Sequence, residues 1–315
     1  MKFGVLCAAF IGCCLYGYSQ QDTIIMSHPD TLSNRRTATE ILNEVDSLLT
    51  LQDSIYIFNL IDSILTAEPK AKEKSQMAVR LAYNSNIVST GRTIGIDKFG
   101  LSAGASYFHK SGFYTDVSGY WSKEYDPDYY LTIASAGYMI SPIRRWSILA
   151  EYSRFIYTYT GADVVAPYTN SIGVTNFFNF KPLVLRLDYY FYFGEKNAHR
   201  IMPGIGLNLE KRKWHGIDRI LFYPSTNILF GTEVTPYTTK TLEILYRLRR
   251  GLPLERTVFG DMNYSFTAPL NITVNNWNFL VSYTYNIPKT LPGEELGLTN
   301  SGFFSATVTR YIGFK

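Results

Sequence analysis

From Met77 to its end this chain places apolar residues at every second position, a period that fits an extended strand with two unlike faces. Residues 276–288, NWNFLVSYTYNIP, show the pattern plainly. Trp277, Phe279, Val281, Tyr283, Tyr285 and Ile287 share one face, while Asn278, Ser282, Thr284 and Asn286 lie on the other. The same alternation runs through Leu101, Ala103, Ala105 and Tyr107, through Leu183, Leu185, Leu187 and Tyr189, and through Met262, Tyr264, Phe266, Ala268 and Leu270. About twelve such segments can be counted: 78–88, 97–109, 112–122, 130–140, 146–158, 169–180, 182–193, 200–211, 219–232, 260–274, 276–287 and 302–314.

Many of these segments reach ten residues or more, longer than the five or six common in soluble sheets. Their connections alternate in length. Tight joins occur at HKSG, SPIRR, NFKP and TVNN, with a slightly longer one at KWHGID. Long connections occur at SKEYDPDY, TGADVVAPY, GEKNAHR and IPKTLPGEELGLTNS, and above all from about Glu233 to Gly260. A soluble β-sandwich also alternates, but its outward aromatics would need a second packed layer and its loops would follow no such rule. A closed antiparallel transmembrane β-barrel of about twelve strands accounts for both features, with short turns on the periplasmic side and long loops outside. Closure is compulsory there, because hydrocarbon offers no partner for the N–H and C=O groups of an open edge.

Composition agrees with this reading. Aromatic residues make up 16% of the chain, and charged residues only 18%, below the roughly 25% of soluble domains. A net charge of +4 without a basic block interleaved with exposed aromatics argues against nucleic acid. Trp121, Tyr129, Tyr130, Trp146, Trp277, Tyr285 and Tyr311 fall near strand ends and are candidates for interfacial girdles. Arg154 and Arg310 fall on apolar parity, so each is expected near a strand end or beside a bulge that flips the phase.

The N-terminus, MKFGVLCAAFIGCCLYGYSQ, has one charge before an uncharged run, with Gly17 and Ser19 placed for cleavage before Gln20. It reads as a secretory signal peptide over residues 1–19; a short membrane anchor or lipidation at Cys13 or Cys14 are the alternatives. Cys7, Cys13 and Cys14 are the only cysteines, so the mature chain would carry neither disulfide nor thiolate site. Residues 20–76 switch to helical spacing, with Ile41, Leu42, Val45, Leu48 and Leu49, then Phe58, Ile61, Ile64 and Leu65. They are expected to form a periplasmic helical segment and linker ahead of a barrel over 77–315.

The final segment, GFFSATVTRYIGFK, resembles the C-terminal strand by which outer-membrane barrels are recognised for insertion, although Lys315 follows the usual terminal aromatic. The stretches RLAYNSNIVSTGRTIGIDKFGLSAGASYFHKSGFYTDVSGYW, GEKNAHRIMPGIGLNLEKRKW and MNYSFTAPLNITVNNWNFLVSYTYNIPKTLPGEE resemble an uncharacterised group of outer-membrane barrel proteins from the Bacteroidota, over most of the chain from about Ile55. That resemblance implies the outer membrane as location and a barrel as fold. It transfers no activity.

Candidate chemistry is sparse. His199 lies beside Glu195 and Arg200 in GEKNAHR, the nearest approach to a rim-sited hydrolase, and Glu124, Asp126 and Asp128 offer oxygen ligands to a divalent ion, although an exposed acidic loop explains them as well. No catalytic residue, metal site or cofactor is assigned. Parity turns Arg80, Asp116, Glu151, Arg186, Asp188 and Glu210 inward, and their mixed signs suggest cross-barrel ion pairs rather than a single-sign selectivity ring. In the longest outer loop, TTKTLEILYRLRRG predicts a short helix with Leu242, Leu245 and Leu248 on one side and Lys240, Arg247, Arg249 and Arg250 elsewhere. It could constrict the mouth, lie on anionic headgroups or be a plain surface helix. Three roles follow: a passive channel or small-solute binding barrel without enzymatic activity, a closed barrel that engages partners through its loops or N-terminal helices, or a lipid-modifying enzyme at the rim. Expected partners are outer-membrane lipid, the barrel-assembly machinery and small solutes.

Overall fold

A computed structural model describes residues 75–85, 99–123, 128–143, 145–158, 168–237, 241–292 and 298–313. The expected signal peptide, the N-terminal helices with their boundary to the barrel, Glu124, Asp126 and Lys240 lie outside the described residues. The described strands are β1 (Gln76–Asn84), β2 (Gly100–Phe108), β3 (Phe113–Ser122), β4 (Tyr129–Ile143), β5 (Trp146–Tyr157), β6 (Tyr168–Phe180), β7 (Leu183–Gly194), β8 (Ala198–Leu207), β9 (Leu209–Trp214), β10 (Ile217–Phe222), β11 (Ser225–Pro236), β12 (Glu255–Val274), β13 (Trp277–Pro288) and β14 (Ser301–Gly313). One helix, α1 (Thr241–Arg249), stands in the connection between β11 and β12.

The sheet is antiparallel and closes on itself. Each strand from β1 to β7 pairs with the next, β8 pairs with β11, β11 with β12, β12 with β13, and β13 with β14. β14 returns to β1 in a continuous register from Gln76 opposite Gly313 to Asn84 opposite Ser305. β8 and β9 form one stave interrupted at Asn208, and β10 and β11 another interrupted at Tyr223 and Pro224, so the wall is a closed barrel of 12 staves. The hairpin of β9 and β10 projects beyond the other turns and pairs onward through β10 to the lower part of the 20-residue β12.

Short turns gather at the end of the barrel where β1 begins and β14 finishes. Three of them use left-handed backbone, among them the β12–β13 turn through Asn275 at φ 51°. Gly112 has φ 98°, and a Cβ there would lie 2.3 Å from the Met139 carbonyl oxygen, so only glycine fits. His215 and Gly216, at φ 48° and 83°, make the two-residue connection of β9 to β10 that suits the strand twist.

Alternation then decides what each face meets. In β13 the odd residues from Trp277 to Tyr285 point out and the even ones, Asn278 to Asn286, are buried inside. Leu81 at 63% exposure, Val117 at 53%, Ile172 at 51%, Val281 at 52% and Phe304 at 58% belong to a continuous apolar exterior. No monomer in water leaves such a surface bare; a bilayer solvates it. The chain is therefore a transmembrane barrel of the outer-membrane type. Arg154 and Arg310 both face out, close to strand ends: Arg154 donates to Asn170 at 2.9 Å, and Arg310 lies 5.3 Å over the Trp277 ring.

Two of the four register shifts along the wall turn a large residue inward. Between β3 and β4 the pairing passes from Tyr120–Leu131 to Trp121–Tyr129, leaving Tyr130 as the extra residue. Between β11 and β12 it passes from Leu229–Asn263 to Phe230–Asp261, leaving Met262 extra. Both extra residues turn inward and are buried at 1% exposure, against the outward positions that strict alternation assigns them.

Candidate functional site in the barrel interior

The interior is built in unlike halves. Staves β12, β13 and β14 line it with uncharged polar groups that bond sideways to one another. Asn271 and Asn278 exchange two amide hydrogen bonds of 3.2 and 2.6 Å, Thr284 donates to Thr267 at 3.3 Å, and Ser282 and Ser305 share a bond of 2.6 Å. These rungs follow from Ser, Thr and Asn at alternate positions on neighbouring strands.

Staves β1 to β7 carry layers. Toward the long-loop end Tyr120, Tyr130, Leu131, Ile133, Phe155, Tyr168, Tyr190, Tyr192 and Ala198 form one apolar cluster. Toward the short-turn end Ala78, Phe108, Tyr114, Leu149 and Phe177 form another. Between them lie the charges. Arg80 makes a two-pronged pair with Asp116 at 2.5 and 2.8 Å and also donates to Ser106 and Ser118, while both serines donate to the same carboxylate. β2 runs between their strands, and Gly104 makes the room: a Cβ there would sit 3.0 Å from the Arg80 guanidinium carbon and 2.7 Å from Ser118 Oγ. Glu151 accepts from Tyr114 and from Ser153, and Arg186 pairs with the wholly buried Asp188 at 2.8 Å.

Of the inward residues expected from sequence, Arg80, Asp116, Glu151, Arg186 and Asp188 share this belt. Glu210 lies apart on β9, accepting from Arg212 at 2.6 Å and Arg219 at 2.8 Å. Among the described residues, the pairs Arg80–Asp116, Arg186–Asp188, Arg200–Glu233 and Arg219–Glu210 do not cross the barrel. Their partners sit on the same strand, on adjacent strands or one strand removed, because a side chain reaches along the wall more easily than across a 12-stave cylinder. The inward set read from sequence omits Arg200 and Glu233, a pair at 3.1 Å between β8 and β11, and Arg219 on β10. Arg200 was legible from its alternation with Ala198 and Met202; Glu233 hides in what reads as loop.

The girdle candidates divide. Trp121 packs against Tyr129 with centroids 4.9 Å apart, Trp146 stacks on Phe178 and donates to Asn176, and Trp277 and Tyr285 are exposed on the outer face. Tyr130 is a correction: the bulge carries it into the interior cluster. Tyr311 is another. It shares inward parity with Thr307 and Thr309 and packs against the cluster at the short-turn end.

His199 points outward, stacked near Tyr189 and Phe191, while Arg200 points in, so the residues of a rim hydrolase are split between two faces of the wall. In the long loop Arg247 sits 4.0 Å over the Tyr237 ring and pairs with Glu243, and Arg250 sits 5.2 Å over Tyr246. Arg249 ends the helix. Leu242, Leu245 and Leu248 are exposed, so α1 does not pack its leucines into the mouth.

No family model matches the sequence, and none of the curated proteins matches it. Among solved structures the chain is similar to a KdgM porin, at 10% identity over 74% of this chain and 98% of that one with a TM-score of 0.43. It is also similar to the COG4313 outer membrane channel from Pseudomonas putida F1, at 10% identity, 78% and 100% coverage and a TM-score of 0.41. LpxR from Salmonella typhimurium follows at 7% identity, 74% and 99% coverage and 0.41. Likeness at this level describes barrels of comparable build and leaves function to this chain's own residues.

Proposed function

We propose that the protein is an outer-membrane barrel that binds or passes small solutes, exported with a cleaved leader and without enzymatic activity. The observation that carries this reading is the uncharged amide and hydroxyl wall of β12, β13 and β14, facing inward inside an apolar exterior. A lumen needed only for rigidity is filled as well by apolar side chains. Polar rungs suit contact with water and neutral solutes. In this reading the short-turn end is periplasmic, and the family resemblance supports an origin in the Bacteroidota.

A second reading has a specific observation in its favour. Thr284 is fully buried, and Asn271 and Ser282 are nearly so, so these rungs are closed to solvent. That state fits a closed barrel whose loops or N-terminal helices engage partners. Planar-bilayer recordings on the refolded full chain separate the two. Discrete conductance steps are expected of the solute barrel; a silent bilayer, with the protein shown to be inserted, would reject a channel.

A further inference from the structure

The top rung of the polar wall differs from those below it. Asn263 and Asn286 stand in the same diagonal relation as Asn271 and Asn278: Asn263 lies opposite Pro288 and Asn271 opposite Leu280, so each pair is offset by two residues. The lower pair closes both amide bonds upon itself. The upper pair closes one, Asn263 Nδ2 donating to Asn286 Oδ1 at 3.0 Å, and leaves Asn263 Oδ1 and Asn286 Nδ2 buried without partners. Ser301, directly opposite Asn286 on β14, adds a third buried atom without a partner, its Oγ. Both asparagines are 1% exposed. One acceptor, one donor and one hydroxyl thus converge from three adjacent strands where each costs free energy if left unmade.

Beside them stands an apolar wall of Met202, Leu229, Met262 and Leu291, with Gly260 allowing Leu291 to approach the strand. Met262 is the inward bulge residue that precedes Asn263, so the bulge brings thioether and amide to one spot. Methionine side chains yield to an incoming group more readily than branched ones. Nearby, Arg200 and Glu233 are paired with each other, and Arg256 donates to the Pro292 carbonyl next to Leu291.

We propose that Asn263, Asn286 and Ser301 form a recognition site for an uncharged solute carrying neighbouring hydroxyl groups, with the methionine and leucine wall against its carbon skeleton. A hydroxyl both donates and accepts, so two adjacent ones satisfy the open amide oxygen and the open amide N–H together. A carboxylate would meet only guanidinium groups already engaged, Arg200 by Glu233 and Arg256 by the Pro292 carbonyl and the Tyr237 ring, and stays in water, as does an ammonium group. The inference rests on the solute-barrel reading and names its ligand class.

The test is saturation-transfer NMR of the full chain in detergent micelles, with D-xylose as neutral probe and gluconate as charged probe. Xylose is expected to bind, and gluconate to compete at least about tenfold more weakly. Asn263→Leu with Asn286→Leu should weaken xylose by about a hundredfold, and separately Ser301→Ala by about tenfold, the scale of two and of one lost hydrogen-bonding group. Ser141→Ala with Ser147→Ala, a bonded pair on β4 and β5 away from the polar wall, is the control pair and should leave binding unchanged. Heat-modifiable gel mobility checks that each variant has folded; should the double variant fail to fold, Ser301→Ala still decides. No xylose binding, equal binding by gluconate, or equal loss in the control pair would overturn the site. Conductance without xylose binding would reject the site and leave the channel standing, whereas binding without conductance would keep the site and reject free passage.

Discussion

Replacing Arg80 by Met tests whether the interior belt is desolvated. Asp116 would keep its hydrogen bonds from Ser106 and Ser118 but lose both bonds from the guanidinium. The pair is buried, with side-chain exposures of 8% and 13%. Removing one partner of a buried pair typically costs about 3 to 5 kcal/mol, since a carboxylate remains out of water without its counter-ion. The two serine bonds place the expectation at the lower end, about 3 kcal/mol. Replacing both residues, Arg80→Met with Asp116→Leu, removes the charge and the cation together. That double variant is expected within about 1 kcal/mol of the parent or more stable than it. Urea unfolding in lipid vesicles reads both, using the four tryptophans as fluorescent reporters. Equal destabilisation of the single and double variants would refute the reasoning, because it would mean that packing rather than uncompensated charge sets the cost.

Two further outcomes follow from the same geometry. Gly104→Val should push the Arg80 and Ser118 side chains from their places and destabilise by about 1 to 3 kcal/mol, measured by the same unfolding assay, while the Arg80→Met background should absorb part of that loss. Val281→Arg, facing lipid at mid-strand, should cost about 2 to 4 kcal/mol, whereas Arg310→Leu at the strand end should change stability by less than about 1 kcal/mol; matching effects at the two positions would contradict the assigned membrane depth.

The wall was largely legible in the sequence because its two causes are local. A period of two assigns faces without knowledge of partners, and the alternation of tight turns with long connections orders the staves. The opening alternation of residues 277–285 survives intact in β13. What stayed hidden depends on register between strands. Nothing near Tyr130 or Met262 announces that the facing strand is one residue short, yet that mismatch turns both inward. Tyr311 reads as a girdle residue by proximity to the chain end, and only its parity with Thr309 turns it in. Arg80 and Asp116 carry no mark of each other at a separation of 36 residues, because Gly104 on a third strand opens the path between them. The open amides of the top rung are hidden for the same reason, since Asn271 and Asn278 look identical to Asn263 and Asn286 until the side-chain bonds are drawn.

The seam between β1 and β14 has a consequence for biogenesis. Nine backbone positions of β1 await partners on β14, the most distant described strand in the chain, so the ring cannot be completed in part. A nascent chain stopped before β14 would offer two naked borders to oil instead of one shortened wall. Quality control in the envelope would then face a yes-or-no decision, and a premature stop near Gly302 should abolish accumulation rather than diminish it.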